Sequence, residues 1–236
     1  MSKALLYIAL VFIGACSGRK DPVGDLVRDL NRYPEYSLIV DDTRIDDGFF
    51  PDYYLKFQIM TAAGARVAGR DSIVYEQRRT DWMQVDSGVY ARYENYVGMV
   101  VAAKGKDGRS TGVSQAHPPG YQYVGNPQYG SWGAGGFWQF YGQYAMMRSL
   151  MGGWNVGRDD WEGYRRHRER GQPYYGPSKG GKPTFGSRGV QTEKTRPQFY
   201  KRQQQRRQAF TNKVSNRMGQ TQTKSSWGSR SSRSGK

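Results

Sequence analysis

Apolar and polar positions recur with different periods along this chain, and the changes of period divide it into elements. Ala4 to Ala15 is a continuous apolar run behind Lys3. After Asp21-Pro22 the spacing changes: Val23, Leu26, Val27 and Leu30 fall at i, i+3, i+4 and i+7, one apolar face of a helix. Asp21 suits the N-cap of that helix and Pro22 its first position, where a missing N–H costs nothing; Pro34 stops it. Tyr36 to Val40 reads as a short strand. Leu55, Phe57 and Ile59 alternate with Lys56, Gln58 and Met60, as a half-buried strand requires. Ser72 to Arg79 is a third strand. Ser87 reads as a second N-cap, with Val89, Tyr93, Tyr96 and Val97 on the helical face behind it and Gly98 as its end. Met99 to Ala103 follows as a buried strand, and the turn Lys106-Asp107-Gly108 returns Arg109 to Ser114 as its partner. Interspersed helices and antiparallel strands with short connections predict an α+β domain over residues 21–116, a small antiparallel sheet with two helices.

Residues 117–157 change character. His117-Pro118-Pro119-Gly120 breaks the pattern, and Tyr121, Tyr123, Tyr129 and Trp132 are spaced among Gly, Asn and Pro, as in a strap lying over a domain face. Phe137, Phe140, Tyr141, Tyr144, Met147 and Met151 lie close to one helical stripe and predict an apolar helix. That helix caps the core or offers a docking face to a protein partner or a bilayer surface. From Gly171 onward the chain is rich in Gly, Ser, Gln, Lys and Arg, with Glu193 its only acid, and low hydrophobicity with high net charge predicts disorder. Within it, over Pro197 to Met218, Phe210, Val214 and Met218 recur at i, i+4 and i+8 among Lys201, Arg202, Arg206, Arg207, Lys213 and Arg217, which predicts a basic helix on an anionic surface.

Charge sharpens this division. The 236 residues carry a net charge of +16, and from Arg158 to Lys236 there are 20 Lys+Arg against 5 Asp+Glu. Residues 1–157 are close to neutral. The hydrophobic fraction, 36%, is below the roughly 45–50% of a typical globular chain, in line with a C-terminal third, residues 158–236, that is basic and largely unpacked.

The N-terminal run has its own chemistry. Its twelve apolar residues fall short of the about 20 a helix needs to cross a bilayer, and a basic start, a short apolar stretch and small residues before a cut site describe an export signal over residues 1–15. Ile13-Gly14-Ala15 precedes Cys16, the only cysteine of the chain. This resembles the bacterial lipoprotein signal, whose lipobox places a small or aliphatic trio before an invariant Cys. The resemblance implies that Cys16 is lipidated and becomes the mature N-terminus, with residues 16–20 as a tether to the membrane. Ser17 is similar to what outer-membrane lipoproteins carry after that Cys, so the implied address is the outer membrane of the bacterial envelope. The rest of the chain, through Thr80-Asp81-Trp82, the stretch Gly120 to Asn126 and the stretch Phe137 to Tyr144, resembles bacterial lipoproteins with a small N-terminal domain, an aromatic and Gly-rich middle and a basic Ser/Arg/Gly tail. That resemblance carries architecture and location, and no activity.

The chemistry legible in the chain is electrostatic. A flexible polycation attracts phosphate and carboxylate polymers without a fixed pocket, so Lys201, Arg202, Arg206, Arg207, Lys213 and Arg217 are expected to contact anionic envelope polymers or lipid headgroups. Aromatics among those charges also suit stacking on single-stranded nucleic acid, a role that export disfavours in the cell. Asp41, Asp42, Asp46, Asp47 and Asp52 place five carboxylates in twelve residues, read as a loop. The spacing does not match a calcium loop; the loop is expected to be solvated or to hold the chain's own basic tail. Neither His117 nor His167 has a nucleophile at a recognisable spacing, and no phosphate loop, dinucleotide fingerprint or metal motif occurs, so neither catalysis nor a cofactor is expected. A carboxylate-based glycan hydrolase needs only two placed acids and is the enzymatic alternative, one that requires a cleft in residues 21–116 with two acids facing each other.

Overall fold

The computed structural model describes residues 21–67 and 70–222. The expected export signal over residues 1–15, the expected lipidation site Cys16 and the low-complexity end lie outside the described residues. Helix α1 (Pro22–Leu30) opens the fold, with the Asp21 side chain accepting from the Gly24 N–H at 3.0 Å and Val23 and Leu30 buried. Strand β1 (Glu35–Asp46) pairs antiparallel with β2 (Asp52–Val67), and β2 with β3 (Arg70–Arg79) and, near its start, with β4 (Met83–Val85). Helix α2 (Ser87–Tyr93) follows. Its N-cap is Asp86, whose side chain accepts from Val89 N–H at 2.8 Å, one residue earlier than the Ser87 cap the sequence suggests. The helix ends at Tyr93, so Tyr96 and Val97 belong to the connection into β5 (Val100–Lys104), which lies on the other side of β1. The short β6 (Ser110–Thr111) completes a six-stranded antiparallel sheet, order β3-β2-β1-β5-β6 with β4 beside β2. The protein is α+β, as its patterning predicts.

Register puts Tyr36, Leu38, Val40, Phe57 and Ile59 on one face of the sheet and Glu35, Ser37, Ile39, Gln58 and Met60 on the other. The first face meets α1 and α2 in the main core. The second is not solvated. The segment after β5 crosses it, and Met60 packs with Tyr123, Tyr129, Tyr144 and Met147, while Ile39, Val100 and Ala103 meet Leu150. Alternation that reads as half-buried from sequence is therefore buried on both sides, and its polar members Glu35, Ser37 and Gln58 are enclosed.

Residues 136–153 do not form one helix. The chain makes a hairpin of β7 (Gly130–Trp132) and β8 (Trp138–Phe140), then a 3₁₀ turn at Gly142–Tyr144 and the short helix α3 (Met146–Leu150). The aromatics that suggested a helical stripe are divided between these pieces. Met147 and Met151 are buried, and Phe137 and Tyr141 face solvent.

The C-terminal third is also built differently from its composition. Helix α4 (Arg158–Glu169) buries Tyr164, and the stretch behind it, with the two-residue strands β9 (Ser178–Lys179) and β10 (Lys182–Pro183), buries Tyr174 and Phe185 in the main core. The backbone is stitched back to the first domain: Tyr174 N–H donates to Ala116 C=O at 2.8 Å, and Ser187 N–H to Asn95 C=O at 3.1 Å. Helices α5 (Val190–Thr195) and α6 (Pro197–Gln222) follow, and Phe199 at the start of α6 is buried. The expected disorder from Gly171 is thus overturned as far as residue 200, because a few well-spaced aromatics anchor a polar chain. The boundary at 116 separates no cores, since one cluster runs from Val23 to Phe199.

Candidate functional site

The cations singled out from sequence all lie on α6, a 26-residue helix that contains no acid. Strand β5 pairs with β1 only over Tyr36–Ile39, which leaves the edge of the outgoing half of β1 open. The start of α6 covers it. Arg196, just before the helix, donates from Nε to the Asp41 carbonyl at 2.9 Å and lies 3.5 Å from the Asp41 carboxylate, which Arg79 also meets at 3.3 Å. Arg202 pairs with Asp42, and Arg206 with Asp47 at 3.5 Å. The pairs advance together along helix and strand, so α6 runs beside β1 toward the hairpin tip.

The acidic stretch is therefore not a loop. Asp41 to Asp46 are strand residues, paired through Asp42–Asp46 with Asp52–Lys56, and Arg44 meets Asp46 at 3.0 Å. Of the two roles weighed for it, it holds the chain's own basic segment. Among the described residues no cluster of His, Cys, Asp and Glu could hold a metal ion.

This geometry sorts the six predicted cations. Arg202 and Arg206 are consumed internally. Lys201, Arg207 and Lys213 are exposed and make no ion pair among the described residues, and Arg217 lies beyond them on the same helix. Arg196, which composition did not single out, is the most enclosed cation of the set. Sixteen residues of α6 remain after Arg206, about 24 Å of helix. At the tip of the β1–β2 hairpin, Phe49 and Phe50 are 96% and 81% exposed and pack edge to face at 5.0 Å. Phe210, one turn beyond Arg206, is 69% exposed.

A second polar centre lies at the other end of the sheet. Glu35 is 1% exposed, on the face crossed by the strap, and accepts hydrogen bonds from Tyr129 at 3.2 Å and Tyr75 at 3.3 Å. Burial raises its pKa above the usual carboxylate range, and the two tyrosine bonds only partly oppose this. Tyr129 also lines a cleft of about 130 Å³ together with Lys106, Asp107, Arg109, Gln122, Tyr123 and Arg168. Asp107 is the one carboxylate of that lining, and Glu35 lies behind Tyr129, so two acids do not face each other across it. No known family model, curated protein or solved structure matches this chain. What the site can do follows from its own residues.

The histidines have structural surroundings. His117 is buried, with Nδ1 3.0 Å from the Gln115 carbonyl and Nε2 3.2 Å from the side-chain amide of Gln122, which reaches Ser37 at 3.1 Å. Both partners are carbonyl oxygens that can only accept, so the neutral ring, with its single N–H, satisfies one of the two. Burial lowers its pKa to about 4. His167 Nδ1 lies 2.8 Å from the Gly163 carbonyl within α4. Of the paired acids Asp159 and Asp160, the second accepts from Tyr121 and Tyr174, both at 2.6 Å, and from Trp154 at 3.2 Å. These three donors hold that carboxylate, and the Tyr121 bond pins α4 to the strap.

Proposed function

We propose that this chain is a lipid-anchored protein of the bacterial envelope that acts as a tether or scaffold, fixed through Cys16 at one end and contacting anionic polymers or lipid headgroups through α6. The observation that carries the reading is the division of labour along α6. Its start is fastened by Phe199 in the core and by Arg196, Arg202 and Arg206 on the acids of β1 and its tip, and beyond Arg206 the helix continues without a single acid, with Arg207 and Lys213, like Lys201 nearer its start, in solvent. A rigid, acid-free helix held at one end presents its charge at a defined place, which a solvated tail does not. The exposed Phe49, Phe50 and Phe210 beside it suit the boundary between headgroups and acyl chains.

The test is co-sedimentation of the full chain carrying Cys16→Ser with phosphatidylglycerol vesicles, with phosphatidylcholine vesicles and with a soluble polyanion, over a salt series. Each cation near an anionic surface is worth about 1 kcal/mol. The triple charge reversal Lys201→Glu, Arg207→Glu, Lys213→Glu is expected to weaken binding to phosphatidylglycerol by about 100-fold or more. Binding that the reversal leaves intact, or equal binding to phosphatidylcholine, would remove α6 from the account.

A further inference from the structure

Two depressions of about 470 Å³ each adjoin where the β7–β8 hairpin meets the chain entering α4. Both are lined by Phe137, Trp154 and Asn155, so these three residues form the ridge between them. Phe137 is 50% exposed, yet its backbone is fixed on both sides. Its carbonyl accepts from Gly133 N–H at 2.9 Å inside the hairpin, and the next N–H, that of Trp138, donates to the Val156 carbonyl at 2.9 Å. Trp154 is half-buried, and its ring is oriented by the Nε1–H bond to Asp160 at 3.2 Å and by edge contact with Phe185 at 6.0 Å. A lone exposed aromatic needs no explanation. Two aromatics held on one rigid ridge between concave surfaces form a platform.

The polar groups around the ridge define what the platform receives. Gln139 and Arg148 line the depression on one side, Arg158 and Asp159 that on the other, and Asn155 lines both. The side chains of Gln139, Arg148, Asn155 and Asp159 make no hydrogen bond or ion pair among the described residues. Arg158 lies over the Trp132 ring at 4.7 Å, and Asp160 is taken by Tyr121, Tyr174 and Trp154. What remains is two amides, one cation and one anion, a set without net charge that both donates and accepts. A polyanion matches cations alone, and a purely apolar partner would cover these groups without pairing them. A ligand with hydroxyls around its edge and C–H bonds on its faces satisfies both the ridge and its surroundings.

We propose that this ridge binds a neutral glycan, a chain of pyranose rings with equatorial hydroxyls, one ring seated in each depression. Equatorial hydroxyls leave the axial C–H bonds on a flat face, whose partly positive hydrogens lie against the negative face of the Phe137 ring. The amides of Gln139 and Asn155 pair with the hydroxyls at the ring edges, donating and accepting at once. Each volume, about 470 Å³, admits one sugar ring with its substituents. Asp159 is the one free acid of the ridge, whereas cleavage of a glycosidic bond takes a pair of carboxylates, so the glycan is held and not cut. The site is separate from α6 and does not depend on the role proposed for that helix.

The experiment is an amide NMR titration of the full chain carrying Cys16→Ser with cellotetraose, chitotetraose, tetragalacturonate and glucose. Saturable shift changes are expected at residues 136–140 and 154–159 with at least one of the two neutral tetrasaccharides. The same sites should bind tetragalacturonate more weakly, and glucose about tenfold more weakly, because it fills one depression alone. Phe137→Ala should weaken binding about tenfold, with the amide spectrum away from the ridge unchanged. Asn155→Ala, which removes an exposed amide and no packing, should weaken it several-fold. The triple reversal on α6 should leave the affinity unchanged, so failure of this site and failure of the helix are read separately. No saturable shift with either neutral tetrasaccharide, equal or tighter binding of tetragalacturonate or glucose, or an affinity that neither Phe137→Ala nor Asn155→Ala alters would overturn the proposal.

Discussion

Glu35 and His117 are both enclosed by the strap that crosses the sheet, and burial moves their ionisation in opposite directions. His117 is held at about 4, below its ordinary 6.5, because the charged ring loses its water. Between those values the unfolded chain binds a proton that the folded one does not, so stability present above pH 6.5 is lost as pH falls through the window, by about 3 kcal/mol in full. Glu35 is raised, so its contribution has the other sign: it is greatest at low pH and is lost as pH rises through its folded value. Urea unfolding over pH 4–8 is expected to show His117→Gln with a flatter decline on the acid side, and Glu35→Gln with higher stability than wild type above pH 7. A wild-type slope in both variants would mean that other groups carry the pH dependence. Neither environment was legible in the sequence. Glu35 sits at an alternating polar position that pattern logic assigns to solvent, and only the strap from a segment some ninety residues later, through Tyr129, encloses it.

At the scale of elements, the outcome turns on what covers an edge. Helix α1, strands β1 to β3 and the β5 turn follow from local spacing, cap and turn chemistry, and they stand where the periodicity puts them. The elements that depart from expectation are those whose neighbours are remote in sequence. The acidic stretch is strand because α6 and Arg79 neutralise its carboxylates, 155 to 160 residues and about 40 residues away respectively. The predicted basic helix over Pro197–Met218 is present, extended to Gln222, yet two of its six cations are used to hold it in place. The apolar face of that helix is sparse, so its docking rests on Phe199 and the Arg–Asp pairs. Phe199→Ala is expected to cost about 3–5 kcal/mol if the whole unit unfolds together. Asp42→Asn should release the start of α6, raising amide exchange from residue 197 onward while β1–β3 stay protected. Unchanged exchange in α6 would show that the ion pair contributes nothing to its docking.

At the scale of the whole molecule, the C-terminal third is part of the fold as far as Phe199, and charge counting could not show it. Composition averages over Tyr164, Tyr174, Phe185 and Phe199, which are few but placed to enter one core with Val23 and Tyr121. Truncation after Gly171 is therefore expected to expose that core, with a lowered Tm and strong binding of an apolar dye. A folded, dye-silent chain ending at Gly171 would restore the reading of residues 171–200 as a dispensable tail. Those residues join the basic helix to the body of the fold, and the proposed function adds a lipid at Cys16. The tether proposed here requires that anchor before anything else. Labelled palmitate incorporation in the producing bacterium, wild type against Cys16→Ala, followed by envelope fractionation, measures it directly. The account predicts label on the wild type alone, in a membrane fraction, with the variant unlabelled and released. An unlabelled wild type in the cytosol would contradict it.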